Sequence, residues 1–357
     1  MNNTFNISDE KVILERINAK TADQMTPVIA YLVILMCVGL IGNVLVVLFY
    51  GRNAKNSTHF VFICTLAIYD LISCGISIPS EIATLRLFFT YDNSIACKIF
   101  RFVNHFAAIG SIGVLLEISI DRYRKICRPF RRQLNHNQTK VACAGSIVGA
   151  LFFSWPSLVF CKAVPVDVRN ENGQQVTGYT CTTTKEEKYR NYLWIFNSTH
   201  FVIFICFTII LCVMYALVWS VLLKRKTYSE TSEVSAIGVE PSYSGDSMDR
   251  STQSARMAVE MATQPSHTKP RTVRLTMLMV VITVVFVVSF LPFFLLVIWR
   301  AKNGTFESDF LSDSDLVAFQ FGIRSYLFSS AINPFMYGFF NSEFREYVRK
   351  VVCAWKR

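Results

Sequence analysis

Seven apolar blocks divide the chain, and each is long enough to cross a lipid bilayer, which takes about 20 apolar residues in a helix. They cover roughly residues 27–50, 58–83, 95–121, 140–162, 192–223, 273–299 and 315–339. Only helices and closed barrels cross lipid, because every backbone polar group there must bond internally. The blocks are too long and too continuously apolar for barrel strands, which alternate over about 10 residues. The sequence therefore predicts an all-α membrane protein, a bundle of seven transmembrane helices.

Charge is distributed unequally between the two sides of this bundle. The stretches 51–57, 121–140, 224–274 and 340–357 carry 22 Lys and Arg against 9 Asp and Glu, whereas the remainder carries 14 against 16. Because Lys and Arg collect on the cytoplasmic side, we expect a multi-pass protein of the plasma membrane with its N-terminus outside. The net charge of +11 then reflects topology, and we expect no nucleic-acid partner.

The segments outside the blocks set the domain organisation. Residues 1–26 are polar and lack the apolar core of a signal peptide, so we expect an extracellular tail before a transmembrane domain over 27–339. The third inner loop, 224–272, is rich in Ser, Thr and Glu and shows no hydrophobic periodicity, which predicts disorder. The aromatic and basic residues of 340–357 predict a short amphipathic eighth helix on the lipid bilayer, followed by a short cytoplasmic tail.

Two short motifs stand at the inner ends of apolar blocks. The third block ends at Asp121-Arg122-Tyr123, and the seventh ends at Asn333-Pro334-Phe335-Met336-Tyr337. With Gly42-Asn43-Val44 in the first block and Trp155-Pro156 in the fourth, they make the chain resemble the class A (rhodopsin-like) G-protein-coupled receptors over roughly residues 27–352. The resemblance implies an extracellular ligand, a heterotrimeric G protein as partner and no enzymatic activity. Ser and Thr residues of the third inner loop would be phosphorylated by a receptor kinase and so recruit arrestin. The alternative is that the loop is a plain polar linker.

The resemblance assigns a switching role to the first motif. At rest Arg122 pairs with Asp121; on activation it releases and contacts the G protein, with Tyr215 and Tyr337 as partners.

Three positions depart from the family pattern. Thr272 stands where an acidic residue often holds the motif Arg, Phe290 where Trp is usual, and Phe207 where Pro is usual. Because the second lock at Thr272 is missing, we expect raised basal activity.

Two further sites follow from the resemblance. The spacing of Cys97 from Arg122 is 25 residues, as in the family, so Cys97 and Cys181 are expected to form a disulfide in the oxidising exterior, with two unpaired thiols as the alternative. The carboxyl group of Asp70 matches the family's allosteric sodium site, together with oxygen atoms of Ser111, Ser329, Ser330 and Asn333. The alternative is a protonated Asp70 bonded to Asn43 or Asn333.

The residues at positions that bind retinal or amines in related receptors indicate the ligand class. A retinal-binding Lys is absent, since Leu327 stands there, and Asn104 replaces the Asp that pairs with amines. The remaining pocket is aromatic and charged, and the candidate ligand-binding residues are Glu81, Arg101, Asn104, His105, Phe290, Phe293, Phe294 and Arg324. Arg101 suits a carboxylate or a peptide acid. The alternatives are a Glu81–Arg324 ion pair and a His105 that is only a hydrogen-bonded core residue.

We favour a neuropeptide ligand, because the second outer loop, roughly 162–190, is expected to form a hairpin and the outer surface carries mixed charge. A receptor for a non-peptide small molecule, a receptor-like binder that does not signal, and a seven-helix transporter or channel are the competing hypotheses. Modification motifs are glycosylation sequons at Asn2, Asn6 and Asn303, and Cys353 as a palmitoylation site or a free thiol.

Overall fold

The computed structural model describes residues 7–52, 57–169, 173–237, 270–303 and 312–355. These form helices packed side by side, with one antiparallel hairpin at the outer end of the bundle. The helices are α1 (Ile7–Gln24), α2 (Thr26–Arg52), α3 (Thr58–Ile72), α4 (Ile78–Arg86), α5 (Ser94–Cys127), α6 (His136–Ser154), α7 (Ser157–Phe160), α8 (Arg190–Ile237), α9 (Pro270–Asn303), α10 (Asp313–Ile323), α11 (Leu327–Phe340) and α12 (Ser342–Trp355). The strands are β1 (Cys161–Arg169) and β2 (Gln175–Thr183).

Among the described residues, six helices are long and apolar enough to cross a membrane, from Thr26–Arg52 to Thr276–Arg300. Their outward faces carry exposed apolar side chains such as Ile41, Val148 and Phe152. Exposed apolar area of this extent indicates contact with lipid. The prediction of a helical membrane bundle is confirmed.

The seventh predicted span, 315–339, is divided into α10 and α11. Between them the Arg324 N–H donates to the Phe321 carbonyl (3.2 Å), and the Leu327 N–H donates to the Arg324 carbonyl (3.1 Å). These bonds reach back three residues, so the connection is a tightened turn of 3₁₀ type. It holds Arg324 and Tyr326 at the level of the outer cavities described below.

The second span changes its winding in the middle. Helix α3 passes into α4 through a π-helical segment, Ser73–Ser77, and Pro79 follows in the first turn of α4. Proline has no N–H to donate, and a π-bulge lets a helix absorb such a break. The wider turn also changes which face of α4 points inward, and Glu81 lies on that face, buried.

Helix α5 lies at the centre of the bundle, in contact with α3, α6 and α8. Its approach to α3 depends on Gly110, because a Cβ there would overlap the ring of Tyr69. Local caps fix the ends of several helices. The Asn93 side chain accepts from the Ala96 N–H at the start of α5, and Asn135 and Gln138 form a capping box at the start of α6.

The connections differ in part from expectation. The disordered loop predicted over 224–272 is helical at both described ends, because α8 continues to Ile237 and α9 begins at Pro270. Its middle, 238–269, lies outside the described residues. Helix α12 is the predicted eighth helix, and the Asn341 side chain starts it by accepting from the Glu343 N–H (3.0 Å).

Helix α1 belongs to the segment expected only to be a tail. Its buried and half-buried side chains recur every three to four residues over 13–25, which defines one helix face. Asn18 Nδ2 donates to the Arg86 carbonyl (3.0 Å), and Asn18 Oδ1 accepts from the Phe89 N–H (2.9 Å). On its other side the Phe89 carbonyl accepts from the Tyr179 N–H of β2 (2.7 Å). Helix α1, the first outer loop and the hairpin therefore form one hydrogen-bonded unit.

We expect Asn18→Ala to loosen helix α1 locally. The substitution removes two hydrogen bonds, each contributing about 0.5–1.5 kcal/mol, and leaves the Phe89 N–H without its acceptor. Hydrogen–deuterium exchange of residues 7–24 and 86–91 should accelerate by on the order of tenfold, with the transmembrane helices unchanged. Arg16→Ala, on the exposed face of α1, is the control. Equal exchange in the two variants would contradict an anchoring role for Asn18.

Candidate functional site

Two adjoining cavities open into the outer half of the bundle. The deep cavity, of about 470 Å³, is lined mainly by apolar and aromatic side chains from α5, α8 and α9. The outer cavity, of about 430 Å³, is lined by charged and polar groups of α4, α10 and the hairpin. Arg101, His105, Phe293 and Tyr326 line both, so the two cavities meet at these residues.

Glu81 is the centre of a buried charge cluster at this junction. Its Oε1 atom accepts from Arg101 Nη1 (2.9 Å) and Asn104 Nδ2 (3.2 Å), and its Oε2 atom lies 3.0 Å from Arg324 Nε. Glu81 is 4% exposed and Arg324 is 5% exposed. The Glu81–Arg324 ion pair named as an alternative is therefore formed, and both of its members also line the outer cavity. With one carboxylate between two guanidinium groups, the cluster carries a net charge of +1.

Polar neighbours hold two other candidate residues in place. Asn104 Nδ2 also donates to the Tyr326 hydroxyl at 2.6 Å. His105 Nδ1 lies 2.7 Å from the Arg101 carbonyl and 3.1 Å from Ser157 Oγ, so this ring is hydrogen-bonded within the bundle while it lines both cavities. Sequence reasoning missed Tyr326, because no local pattern indicates that its hydroxyl meets a side chain more than two hundred residues earlier.

Aromatic rings form the wall of the deep cavity. Phe290 stacks on Phe286 with ring centroids 4.4 Å apart and lies 5.5 Å from the Tyr326 ring. Phe204 stacks on Phe294 at 4.3 Å, and Phe293 packs edge-on against Phe294 at 5.2 Å. The predicted aromatic residues are thus brought together. Phe207, at the position where proline is usual in the family, is buried in the same core.

The hairpin covers the outer cavity. Strands β1 and β2 pair from Cys161–Thr183 to Arg169–Gln175, which is the hairpin expected in the second outer loop. The predicted disulfide between Cys97 and Cys181 is confirmed, and the Cys181 carbonyl accepts from Arg101 Nη2 at 3.2 Å. Glu186, which follows β2, binds the ammonium groups of Lys162 in β1 and of Lys188, and these hold the pKa of its carboxyl at about 2.

At the inner end of α5, Asp121 binds two cations. Arg122 Nη2 donates to its carboxylate at 2.5 Å, and Lys125 Nζ lies 2.9 Å from the same group. Lys125 also donates to Thr58 Oγ1 at 2.8 Å, which connects the cluster to the start of α3. Asp121 is 1% exposed. Lys125 was not among the predicted residues, although its spacing of four from Asp121 on a helix is a recognised ion-pair signal.

Among the other predicted switch residues, Tyr215 and Tyr337 are buried. The Tyr215 hydroxyl accepts from Thr283 Oγ1 at 3.2 Å, which joins α8 to α9. Tyr337 is fully buried, and its hydroxyl has no hydrogen-bond partner among the described residues. Tyr123 is half-buried, with the Arg128 guanidinium 5.9 Å from its ring centroid. The side chain of Thr272 lies outside the described residues.

Asp70 is buried in the middle of the bundle and accepts from Asn333 Nδ2 at 2.7 Å. This is the Asn333 bond named in the alternative to a sodium site, and Asn43 donates to the carbonyls of Gly39 and Ser330. Three hydroxyls predicted around Asp70 are also buried, and one of them, Ser329 Oγ, donates to the Tyr326 carbonyl. The three are Ser111, Ser329 and Ser330. Pro334, inside α11, packs directly against Gly42 of α2.

The predicted modification sites remain predictions. Asn2 and Asn6 lie outside the described residues, and Asn303 is the last residue of α9. Cys353 is exposed on α12.

Comparison with known proteins gives matches along most of the chain. The profile of the 7 transmembrane receptor (rhodopsin family) matches residues 42–337. Neuromedin-U receptor 2 of Mus musculus is 24% identical over 98% of this chain and 81% of its own length. Neuropeptide receptor 18 of Caenorhabditis elegans is 32% identical over 28% of this chain, a match that spans only 20% of that receptor. Visual pigment-like receptor peropsin of Homo sapiens is 27% identical over 65% of this chain and 66% of its own length.

Proposed function

Because the chain belongs to the rhodopsin family of seven-transmembrane receptors, we propose that it is a peptide-activated receptor that switches heterotrimeric G proteins at the plasma membrane, with its N-terminus outside the cell. Membership of the family confirms the predicted resemblance and the expectation of a receptor that is not an enzyme. It also removes the transporter or channel hypothesis. The coupling partner and the ligand class are our proposal.

The observation that carries the proposal is the junction of a charged outer cavity with an aromatic deep cavity at the Glu81 cluster. A peptide end offers both a charge and an apolar side chain within a few ångströms, so it matches both cavities at once. The hairpin supports this ligand class, because its backbone and side chains line the outer cavity. One relative is named as a neuropeptide receptor and another as a receptor for neuromedin-U.

Retinal and simple amines fit the pocket poorly, although one relative is named as a visual pigment-like receptor. Leu327 stands at the position of the retinal-binding Lys, and Asn104, engaged by Glu81 and Tyr326, replaces the counter-ion of amines. The site therefore favours a ligand that meets arginine and aromatic groups.

Signal transfer in this proposal runs through the aromatic wall of α9. Ligand contact at Phe293 and Phe294 shifts Phe290 and its stacked neighbour Phe286, and α9 moves at Pro292. The movement breaks the bond between Thr283 and Tyr215. Arg122 then leaves Asp121 and contacts the G protein, with Tyr215 and Tyr337 as inner partners. Receptor kinase and arrestin act afterwards on hydroxyls of the third inner loop.

A sodium ion is the one cofactor included in the proposal. Asp70 supplies a buried carboxylate, and the hydroxyl-bearing side chains of Ser111 and Ser330 are also buried. Hard cations prefer such oxygen ligands. These residues would hold the ion and stabilise the resting arrangement of α3 and α11.

We expect a peptide pool to activate G proteins in cells that express this chain and to fail with Arg122→Ala. The substitution removes the guanidinium that meets the G protein, so the response should fall to the level of untransfected cells. Nucleotide exchange or second-messenger output measures it, with surface expression of both forms confirmed by an N-terminal epitope.

Lys140→Ala, exposed on the cytoplasmic end of α6, is the control and should keep the response. A response only to amine or lipid pools would establish a receptor for a small molecule. Silence to every pool at full surface expression would identify a binder that does not signal, and Phe207 and Phe290 would be tested next.

A further inference from the structure

We propose that Arg324 and Gln320 form a site for a carboxylate group of the ligand, supplied by the free C-terminus of a peptide or by an Asp or Glu side chain near its end. This inference rests on the proposed function for its biological meaning, but the site itself is a property of the outer cavity. The site would make the receptor select ligands that carry a carboxylate.

The first observation is a pair of buried donor atoms, one without an acceptor and one whose ion-pair partner is poorly aligned. Gln320 is 1% exposed, and its Oε1 atom accepts from Arg324 Nη1, which leaves the Nε2 amide without a partner among the described residues. Arg324 Nε is close enough to Glu81 for an ion pair but lacks hydrogen-bond alignment. Buried donors are almost always satisfied in folded proteins. Both side chains line the outer cavity, so an acceptor placed there would complete them.

The second observation is the charge of the cavity. Its described lining contains one acidic residue, Glu81, against Arg101, Arg300 and Arg324. Glu81 is shared between the guanidinium groups of Arg101 and Arg324. A ligand carboxylate is an anion with two acceptor oxygens in one planar group, which matches a guanidinium by bidentate geometry.

A carboxamide of the same shape does not satisfy these requirements. It carries no charge, and its NH₂ group would face the donors of Gln320 and Arg324. The part of the ligand next to its carboxylate would meet aromatic rings, because Phe293 and Tyr326 line both cavities. We therefore expect the preferred ligand to carry an aromatic or bulky apolar side chain beside its carboxylate.

The test uses the purified full chain and two small probes, N-acetyl-phenylalanine and N-acetyl-phenylalaninamide, at millimolar concentration. At about ten times its dissociation constant, the carboxylate probe should raise the unfolding temperature by about 2–4 °C. The amide probe should not. Gln320→Glu places a carboxylate beside Arg324 and should abolish the shift, as should Arg324→Gln. Arg86→Gln, exposed at the outer end of α4, is the matched control and should retain it.

Equal shifts with both probes, or a shift that persists in Gln320→Glu, would overturn the carboxylate site. So would the lack of any shift with the carboxylate probe. A shift with that probe in a receptor that no peptide activates would support the site and refute the proposed function, so the two failures are distinguishable.

Peptide libraries then identify the source of the carboxylate. One library has a free C-terminus and no Asp or Glu, a second has an amidated C-terminus with Asp or Glu, and a third is amidated and lacks both. We expect one anionic library to activate the receptor at a concentration at least about tenfold lower than the neutral library. Equal potency of all three libraries would contradict selection for a carboxylate.

Discussion

Glu81→Gln is expected to lower the unfolding temperature of the purified receptor by about 10 °C. The substitution leaves two guanidinium groups facing each other without the carboxylate that binds both of them. Removing one partner of a buried ion pair costs about 3–5 kcal/mol, because the remaining charge stays buried, and each kcal/mol shifts the midpoint by about 2–4 °C. Most of the loss should come from Arg324, since the Arg101 side chain is 27% exposed and is able to turn toward solvent.

A second substitution tests this explanation. In the Glu81→Gln background, Arg324→Gln removes the uncompensated charge and should restore most of the lost stability, a coupling that a double-mutant cycle measures. Glu187→Gln is the control, because its ion pair with Arg190 is exposed and such pairs contribute little. If the double variant is less stable than Glu81→Gln alone, buried charge is not the cause.

The second large effect concerns basal signalling. We expect Asp121→Asn to raise ligand-independent G-protein activation by at least about tenfold, because a hydrogen bond to a charged group contributes about 1.5–3 kcal/mol and this one holds Arg122 in the resting position. Nucleotide exchange in membranes without ligand measures it, with Arg122→Ala as the zero level. The wild-type chain should itself lie above that level, since Thr272 provides no acidic partner for Arg122. A wild-type signal equal to that of Arg122→Ala would refute the raised basal activity.

The ion pair between Lys125 and Asp121 leads to a further prediction about basal activity. When Arg122 leaves, Lys125 still neutralises the buried carboxylate, so release of Arg122 does not strand a negative charge. Lys125→Gln should therefore lower basal activity, opposite in sign to Asp121→Asn. In the double variant the effect of Lys125→Gln should disappear, because it acts through Asp121. An undiminished effect would show instead that Lys125 contacts the G protein directly.

The parts of the fold that sequence reasoning predicted depend on local chain properties. A run of about 20 apolar residues partitions into lipid whatever surrounds it, so the transmembrane blocks were recognisable one at a time. The Cys97–Cys181 bridge was predicted because the chain resembles a family in which that pairing is usual. Phe290, Phe293 and Phe294 fall together on one helix, and their spacing already places them near each other.

The parts that were not predicted depend on contacts between distant segments. The docking of α1 requires the Arg86 carbonyl and the Phe89 N–H to meet Asn18, a pairing that polar composition over 1–26 does not indicate. The π-helical segment before Pro79 and the tightened turn after Ile323 each change the direction of the residues that follow. The π-helical segment leads into the helix that carries Glu81, and the turn contains Arg324, so both set the directions in which these two side chains meet.

The sequence alone determined that this chain crosses a membrane as a helical bundle and which receptor family it resembles, and its charges predict an orientation. Those properties follow from the free energy of transferring local apolar runs out of water and from short motifs. The tertiary structure alone decided that one carboxylate binds two arginines, that Gln320 keeps an unbonded amide donor beside Arg324, and that Lys125 shares Asp121. These features depend on distances between side chains from different helices, and burial raises the energetic importance of each unmatched charge or donor.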